Sequence, residues 1–253
     1  LDKSQGGIIN SVVFPCPDEH GFKGILVAPT VHGNLIVGPD AYQVEDGDHV
    51  ATVEPYLSQV KSGGLRSVPG IDFRQTIHEY AGVRPNTQIP DFVIEESPIC
   101  PHFINLAGIK SPGLSAAPAI ALEGLRILSG CGLELTEKET FIDRRRRIKF
   151  RELSNAEKAA VIAEDPLYGR VICRCETVTE GEIVEAIHRP IVPRSIDAIK
   201  RRCNAGMGRC QGGFCGPRVH EILARELGVS PMDITMDEEG TWLLSSPRSE
   251  ERR

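Results

Sequence analysis

Short apolar runs separated by turn residues dominate the first 135 positions of the chain. Many of these runs contain Val and Ile and are bounded by Gly, Pro or Asp, a pattern typical of short strands. The pattern predicts five strands, at residues 7–14, 23–29, 33–40, 92–97 and 103–108. The expected first half is therefore a mixed α/β arrangement of short elements.

Helical patterns follow the last of these strands. In residues 111–130 a Pro- and Gly-containing loop leads into small and apolar residues. Ser115 is the predicted N-cap, Pro118 lies in the predicted first turn, and Gly130 is expected to close the helix. A second, charged helix is predicted within residues 154–165 and ends before a Pro.

Breaks in these patterns predict how the chain is organised. A domain of short strands and helices is expected first, followed by a helical linker, a compact unit rich in cysteine and a polar tail. The predicted boundaries are 1–135, 136–169, 170–228 and 229–253.

Length and composition narrow the class of protein. The chain has 253 residues, of which 40% are hydrophobic and 25% charged, as in an ordinary globular protein. Its apolar runs are far shorter than the roughly 20 residues of a membrane-spanning helix, and no signal peptide is visible. We therefore expect a cytoplasmic protein that reaches a membrane surface only through a partner subunit. The net charge of −6 argues against a nucleic-acid partner.

Cysteine usage is the most informative compositional feature. Eight cysteines are present, and five of them lie between positions 173 and 215. The other three, Cys16, Cys100 and Cys131, are scattered and are expected to be ordinary small apolar residues.

The clustered cysteines flank a predicted helix–turn–helix segment. Thr179 and Glu182 form a capping-box pattern at the first helix, and Ser195 is the predicted cap of the second. A glycine-rich loop, NAGMGRCQGGFCG, then leads into a third helix that begins at Gly216 and Pro217. The loop can bend tightly enough to bring its backbone N–H groups close to sulfur atoms.

Four of these thiols are candidate metal ligands. The spacing places Cys173 and Cys175 before the helices and Cys210 and Cys215 after them. Closely spaced loop cysteines suit an iron–sulfur cluster, and four thiolates also suit structural zinc. A disulfide between Cys173 and Cys175 would close a strained ring. Spacing alone does not exclude Cys203 as a ligand.

The same segment resembles a known family. CRCETVTEGEI, followed by IKRRCNAGMGRCQGGFCGPRV, is similar to the bacterioferritin-associated-ferredoxin-type [2Fe-2S] domain, in the version found at the end of the large subunits of anaerobic glycerol-3-phosphate dehydrogenases. The resemblance implies a [2Fe-2S] cluster with the ligands Cys173, Cys175, Cys210 and Cys215. Cys203 lies outside that family's ligand pattern.

Two segments of the first half also carry candidate chemistry. In YAGVRP, a Gly- and Pro-flanked turn presents Arg84, whose guanidinium suits a phosphate or carboxylate. In GIKSPGLSAAPAIA, a loop enters the start of a helix, where free N–H groups favour an anion. A salt-bridged surface arginine and a plain capped helix are the competing structural interpretations.

Together these segments resemble the D-amino-acid-oxidase-like FAD superfamily. The resemblance implies that Arg84 contacts the anionic group of a substrate. It also implies that a loop lies against FAD, formed by Gly108, Ile109, Lys110, Ser111, Gly113, Leu114 and Ser115. His32, in the matching segment PTVHGNLIVGPDA, is placed near the substrate, although a structural histidine in a turn fits equally well.

The expected fold class is α+β: a mixed-sheet domain with a partial D-amino-acid-oxidase-like fold that contacts substrate and FAD, followed by a small helical [2Fe-2S] domain. The superfamily's GxGxxG turn for the FAD pyrophosphate is absent from the sequence. A missing N-terminal FAD-binding region or partner chain is therefore expected to complete the enzyme.

The resemblance implies an FAD-dependent oxidoreductase of the glycerol-3-phosphate dehydrogenase type. Its substrate would be a small anion, most simply glycerol 3-phosphate, and electrons would pass from FAD through the cluster to an electron-accepting subunit or a quinone. The alternatives are a 2-hydroxy-acid or amino-acid dehydrogenase and a non-catalytic module that binds iron–sulfur or zinc.

Overall fold

Short antiparallel hairpins supply the named strands of the protein. The computed structural model describes residues 1–17, 24–144 and 146–246. Three strand pairs occur in them, and each pair is antiparallel. The pairs are β1 (Leu26–Pro29) with β2 (Leu35–Gly38), β3 (Val93–Glu96) with β4 (Ile104–Ala107), and β5 (Val171–Cys173) with β6 (Val178–Thr179).

Four of the five predicted strands are confirmed, with shorter bounds. The run at 7–14 is wrong as a strand, because only Val13 pairs, in an isolated bridge to Val27. The start of the second run, Lys23, lies outside the described residues. An isolated β-strand or hairpin has little stability in water, so an apolar run alone does not produce a strand.

Six α-helices are formed by the described residues. They are α1 (Glu54–Ser67), α2 (Gly113–Gly130), α3 (Asn155–Glu164), α4 (Glu180–Ile187), α5 (Ile196–Cys203) and α6 (Gly216–Leu227). Short 3-10 turns lie at Lys3–Gln5, Phe73–Gln75, Phe150–Glu152, Pro166–Gly169 and Pro231–Asp233.

The start of α2 differs from the prediction. The helix begins at Gly113, and its N-cap position is Pro112, which makes no side-chain capping bond. Ser115 is therefore wrong as the N-cap: its hydroxyl donates to the Pro112 carbonyl at 2.9 Å. Pro118 lies inside the helix rather than in its first turn. The predicted end at Gly130 is confirmed.

Caps that are encoded locally appear where the sequence predicts them. Thr179 and Glu182 form a complete capping box at α4, and the Ser195 side chain accepts from the Ala198 N–H at α5. Helix α6 begins at Gly216, as predicted. These caps fix where the helices around the cysteines start.

The described residues form two compact units. One unit takes residues from 1–38, 63–78 and 146–246, and the other takes residues from 39–62 and 79–144. The first unit therefore joins the β1–β2 hairpin and the cysteine-bearing helices within one body. The predicted domain boundaries after residues 135, 169 and 228 stay predictions.

Helices α4, α5 and α6 enclose the largest apolar core. Its fully buried members include Ile183, Ile187, Ile199 and Leu223. Ile234, from the predicted polar tail, is 1% exposed and packs into the same core. Burial of these side chains stabilises the three helices that lie between and after the two pairs of cysteines.

None of the helices in the described parts of the chain is long and apolar enough to cross a membrane.

Candidate functional site

The four predicted cysteine ligands converge on one cavity. Cys173 ends β5, Cys175 follows it in a turn, and Cys210 and Cys215 lie in the glycine-rich loop before α6. The Sγ atoms of Cys175 and Cys210 are 3.7 Å apart. All four cysteines line a cavity of about 450 Å³, together with Arg174, Arg209 and Phe214.

Cys173 and Cys215 form the buried side of this cavity. They are 1% and 2% exposed. The Cys215 thiol donates to the Cys173 sulfur, which also accepts from the backbone N–H groups of Gly206 and Glu176. These bonds outweigh burial and lower the pKa of Cys173 to about 6. The hydrogen bond to the Cys173 sulfur and burial raise the pKa of Cys215.

The backbone of the loop donates hydrogen bonds to the Cys210 sulfur. The N–H groups of Phe214 and Gly212 donate to its sulfur, and the bond from Phe214 is the main reason why the pKa of Cys210 is lowered. Such donors stabilise thiolates and, in metal centres, the sulfur atoms that bind iron. The loop thus carries two of the predicted ligands and donates hydrogen bonds to the sulfur of one of them, Cys210.

Cys203 occupies a different environment from these four thiols. It is 2% exposed, and its thiol donates to the Ile199 carbonyl at 3.3 Å within α5. Burial raises its pKa to about 11. Cys203 does not line the cysteine cavity. The structure therefore places it in the apolar core as a neutral thiol.

Glycine at position 208 makes room for the Cys175 side chain. A Cβ atom added to Gly208 would lie 2.1 Å from the Cys175 Cβ and 3.3 Å from its Sγ. A separation as short as the first does not occur between real side chains. Gly206 and Gly212 have φ angles of +90° and +87°, which favour glycine.

The buried carboxylate of Glu176, in the turn after Cys175, forms ion pairs with distant parts of the same unit. Glu176 is 5% exposed, and its oxygens lie 3.0 Å from the Lys3 Nζ and 2.7 Å from the Arg151 Nη1. The cationic partners come from the start of the chain and from the segment before α3. Sequence reasoning missed this group because a charge next to a cysteine motif gives no sign of its burial or its partners.

The fit of a metal can be judged from these contacts. Four thiols on two loops, with backbone N–H donors around them, suit either a [2Fe-2S] cluster or zinc. The geometry meets the requirement that the four sulfurs share one centre. Their assignment as ligands stays a prediction.

The two motifs of the first half meet in the second unit. The Lys110 Nζ donates to the Asn86 side-chain oxygen at 3.2 Å. Gly108 has a φ of +64°, and a Cβ there would lie 2.5 Å from the Thr87 Cγ2. The residues after Arg84 therefore pack against the loop at residues 108–115.

This loop leaves donors available at the start of α2. The Gly113 N–H donates to the Lys110 carbonyl at 2.6 Å. Among the described residues, the N–H groups of Leu114 and Ser115 have no acceptor, and the Leu114 side chain is 94% exposed. Free N–H groups at a helix start suit an anionic or electron-rich group. The arrangement fits the predicted contact with FAD.

Arg84 and His32 are both exposed. Arg84 makes no hydrogen bond or ion pair with any described residue, and its guanidinium is free for an anion. His32 lies in the tight turn between β1 and β2, in the other compact unit. The roles of these two residues stay predictions.

Comparisons with known proteins bear on both halves of the chain. The family model described as FAD dependent oxidoreductase matches residues 2–123. The family model described as BFD-like [2Fe-2S] binding domain matches residues 171–225. The predicted cofactors, FAD and a [2Fe-2S] cluster, and the α+β fold class are confirmed by these matches.

Named relatives agree with the family models. Glycerol 3-phosphate dehydrogenase of Caloramator mitchellensis is 49% identical over 252 residues, which cover 99% of this chain and 52% of the relative. One subunit of the opine oxidase of Rhizobium meliloti is 45% identical over 78 residues, which cover 30% of this chain and 13% of the relative. The chain thus spans about half the length of the first of these relatives.

A solved structure was also found. It is the dithionite-reduced L-α-glycerophosphate oxidase from Mycoplasma pneumoniae with FAD bound, which is 36% identical to this chain with a TM-score of 0.47. The match covers 52% of this chain and 34% of that one.

The family assignment rests on the two family models and on the relative that aligns along nearly the whole chain. Residues 2–123 of the chain therefore match an FAD dependent oxidoreductase domain, and residues 171–225 match a BFD-like [2Fe-2S] binding domain.

Proposed function

We propose that this chain is part of a flavin-dependent dehydrogenase that oxidises glycerol 3-phosphate and releases the electrons one at a time through a [2Fe-2S] cluster. The observation that carries the proposal is the convergence of four cysteines on one cavity in a chain that also holds the anion-binding and flavin-contacting motifs. When bound, FAD would supply a hydride acceptor, and the cluster would supply a one-electron carrier.

Arg84 is proposed to bind the substrate phosphate. Its exposed guanidinium is not engaged by any described carboxylate, and a planar guanidinium can donate two parallel hydrogen bonds to phosphate oxygens. The packing of Thr87 and Asn86 against the 108–115 loop holds its segment next to the proposed flavin contact. An anchored phosphate would also fix the orientation of the substrate's carbinol carbon.

The start of α2 is proposed to stabilise negative charge. The free N–H groups of Leu114 and Ser115 point out of the helix start, where the backbone dipoles favour an anion. Lys110 adds a positive charge to the same loop, and its bond to Asn86 fixes that charge in place. These groups would lower the energy of any negative charge that develops on a bound cofactor.

Electrons are proposed to leave from the exposed side of the cysteine cavity. Cys175 is exposed and Cys210 is half-buried, whereas Cys173 and Cys215 are buried. Phe214, which is 82% exposed, lies on the rim with Arg174 and Arg209. An apolar side chain with two cations suits a carrier protein with an acidic surface, whether free or part of the same complex. The opine oxidase relative is named as one subunit of its enzyme, which is consistent with such a partner.

The proposal is tested by the response of the anaerobically purified holoprotein, with its natural partner chains, to glycerol 3-phosphate. The expected result is bleaching of flavin absorbance, followed by the electron paramagnetic resonance signal of a reduced [2Fe-2S] cluster. Parallel samples receive a 2-hydroxy acid or an opine. Bleaching by one of these alone would assign a carboxylate substrate, and a colourless protein with stoichiometric zinc would overturn the redox function.

Replacement of Arg84 by alanine is expected to weaken use of the anionic substrate. Loss of charge-assisted hydrogen bonds should lower kcat/KM for glycerol 3-phosphate by about 10- to 150-fold, mainly through KM. Steady-state kinetics of the holoprotein measure the effect. Arg66→Ala, which removes an exposed arginine from α1, is the matched control and should leave kcat/KM unchanged. Equal kinetics for both variants would contradict the role of Arg84.

Reversal of the charges on the cavity rim is expected to slow electron delivery. Arg174→Glu combined with Arg209→Glu should reduce the rate of transfer to the natural acceptor by about tenfold at low salt, because like charges repel during encounter. The difference should shrink as salt screens the charges. Stopped-flow oxidation of the reduced protein measures it. Arg144→Glu, at a 92% exposed side chain, should have no effect, and a uniform loss at all salt concentrations would count against an acidic partner.

A further inference from the structure

A second group of metal-binding side chains lies outside the four-cysteine cavity. Glu96 at the end of β3, His102 in the β3–β4 loop and Cys131 at the C-cap of α2 each offer one ligand atom, and these atoms all lie within 4.8 Å of one another. The three residues belong to one compact unit. The sequence separation of the three shows that the fold, rather than a local motif, brings them together.

The backbone holds these side chains in place. The Glu96 Oε1 accepts from the His102 N–H at 2.8 Å. His102 has a φ of +67°, which turns the loop sharply. The Cys131 N–H donates to the Ile127 carbonyl at 2.9 Å, which fixes the thiol at the end of the helix. The site therefore exists before any ligand binds.

The thiol and the carboxylate already interact. The Cys131 thiol donates to Glu96, and partial burial together with this carboxylate raises the pKa of the thiol. Beside the thiol, the carboxylate offers an oxygen ligand and the imidazole offers a nitrogen ligand. A cation that binds here must displace the thiol proton, which passes to water as the metal–sulfur bond forms.

The donor set indicates which cation fits. One sulfur, one imidazole nitrogen and one carboxylate oxygen are the three ligand types of Zn²⁺ in proteins, whereas Mg²⁺ and Ca²⁺ take oxygen ligands. Three protein ligands leave a fourth tetrahedral position for water. Both Glu96 and His102 are exposed, so a hydrated ion can reach the site.

We propose that Glu96, His102 and Cys131 form a zinc site with an open fourth position. Cys131 is then a metal ligand rather than the ordinary small apolar residue that the sequence indicates. The inference does not depend on the substrate or on the four-cysteine centre, so its failure would leave the proposed function intact.

Protection of Cys131 from alkylation tests the site. The cluster-loaded full chain is treated anaerobically with iodoacetamide, with and without Zn²⁺, and each cysteine is followed by peptide mass spectrometry. Because only a free thiolate reacts, saturating Zn²⁺ should slow modification of Cys131 by about tenfold or more. Cys100, which is exposed and lies two residues before His102, should react at the same rate in both samples.

Two variants test whether the protection of Cys131 depends on His102. His102→Asn removes the imidazole but keeps a residue that tolerates positive φ, so the loop is preserved while the protection is lost. His49→Ala, in a different loop, is the matched control and should retain protection. Equal modification of Cys131 with and without Zn²⁺ would overturn the proposal. Protection that survives in His102→Asn, or that extends equally to Cys100, would overturn this ligand set.

Discussion

Cys215→Ala is expected to abolish cluster binding, whereas Cys203→Ala retains it. In the wild-type protein we expect about two irons and two acid-labile sulfides per chain, as a [2Fe-2S] cluster requires. Removal of Cys215 takes away a sulfur that lines the cavity and contacts Cys173. The iron and sulfide content should then fall to near zero, and the visible absorbance should disappear.

The Cys203 variant is the matched control because it removes the same atoms from the neighbouring helix. Its thiol donates to the Ile199 carbonyl, its sulfur accepts from the Ala205 N–H, and it lies in the core without lining the cavity. The expected cost is about 1 kcal/mol of unfolding free energy for the lost buried group, with full iron content. Circular dichroism shows whether both variants fold. Iron loss in a folded Cys203→Ala protein would place that thiol among the ligands.

The helices around the cysteines could be predicted because their signals are local. Thr179 and Glu182 satisfy each other's backbone N–H groups within one turn, and Ser195 needs only the Ala198 N–H. Such contacts depend on residues three positions apart, so they can be read from the sequence alone. The four cysteines gave a second local signal, and their convergence agrees with it.

Helix α1 could not be predicted in this way. Its sequence contains Gly63 and Gly64, and adjacent glycines argue against a helix. In the structure both are buried: a Cβ at Gly63 would lie 2.5 Å from the Ile25 side chain, and one at Gly64 would lie 2.7 Å from the Val37 side chain. The glycines allow the helix to approach the β1–β2 hairpin closely, and this tertiary packing outweighs their poor helix propensity.

Contacts between side chains that are far apart in the sequence also could not be predicted from the sequence. Glu176 meets Lys3 and Arg151 across separations of 173 and 25 residues, and Cys131 meets Glu96 across the α2 helix. Nothing in the spacing of these residues marks them as partners. Sequence reasoning therefore identified the four cysteines that line one cavity, but it found neither the ion pairs of Glu176 nor the grouping of Glu96, His102 and Cys131.

Gly208→Ala is expected to damage the metal centre without removing any ligand. The added methyl carbon would lie 2.1 Å from the Cys175 Cβ, so Cys175 or the loop must move. The φ angle of Gly208 is not positive, so alanine fits the backbone and the steric clash is the only change. Overpacking of this kind costs about 1–3 kcal/mol, and it acts directly on the exposed ligand.

Gly216→Ala is the matched control for this effect. A Cβ at Gly216, the first residue of α6, meets nothing within 4 Å. Alanine favours a helix over glycine by up to about 1 kcal/mol, so this variant should be as stable as the wild type or slightly more stable. The two variants differ from the wild type by the same methyl group, and only the surroundings distinguish them.

Cluster release under anaerobic conditions measures the difference. With an iron chelator present, Gly208→Ala should lose its visible absorbance at least about tenfold faster than the wild type, as a displaced ligand weakens the centre, while Gly216→Ala should follow the wild type. Thermal unfolding of the metal-free proteins separates cluster loss from loss of fold. Because Gly208 has no side chain that could bind a metal, faster release would show that the room it leaves for Cys175 is part of the site. Identical release rates for all three proteins would mean that the loop adjusts freely. The close packing of Gly208 against Cys175 would then not contribute to retention of the cluster.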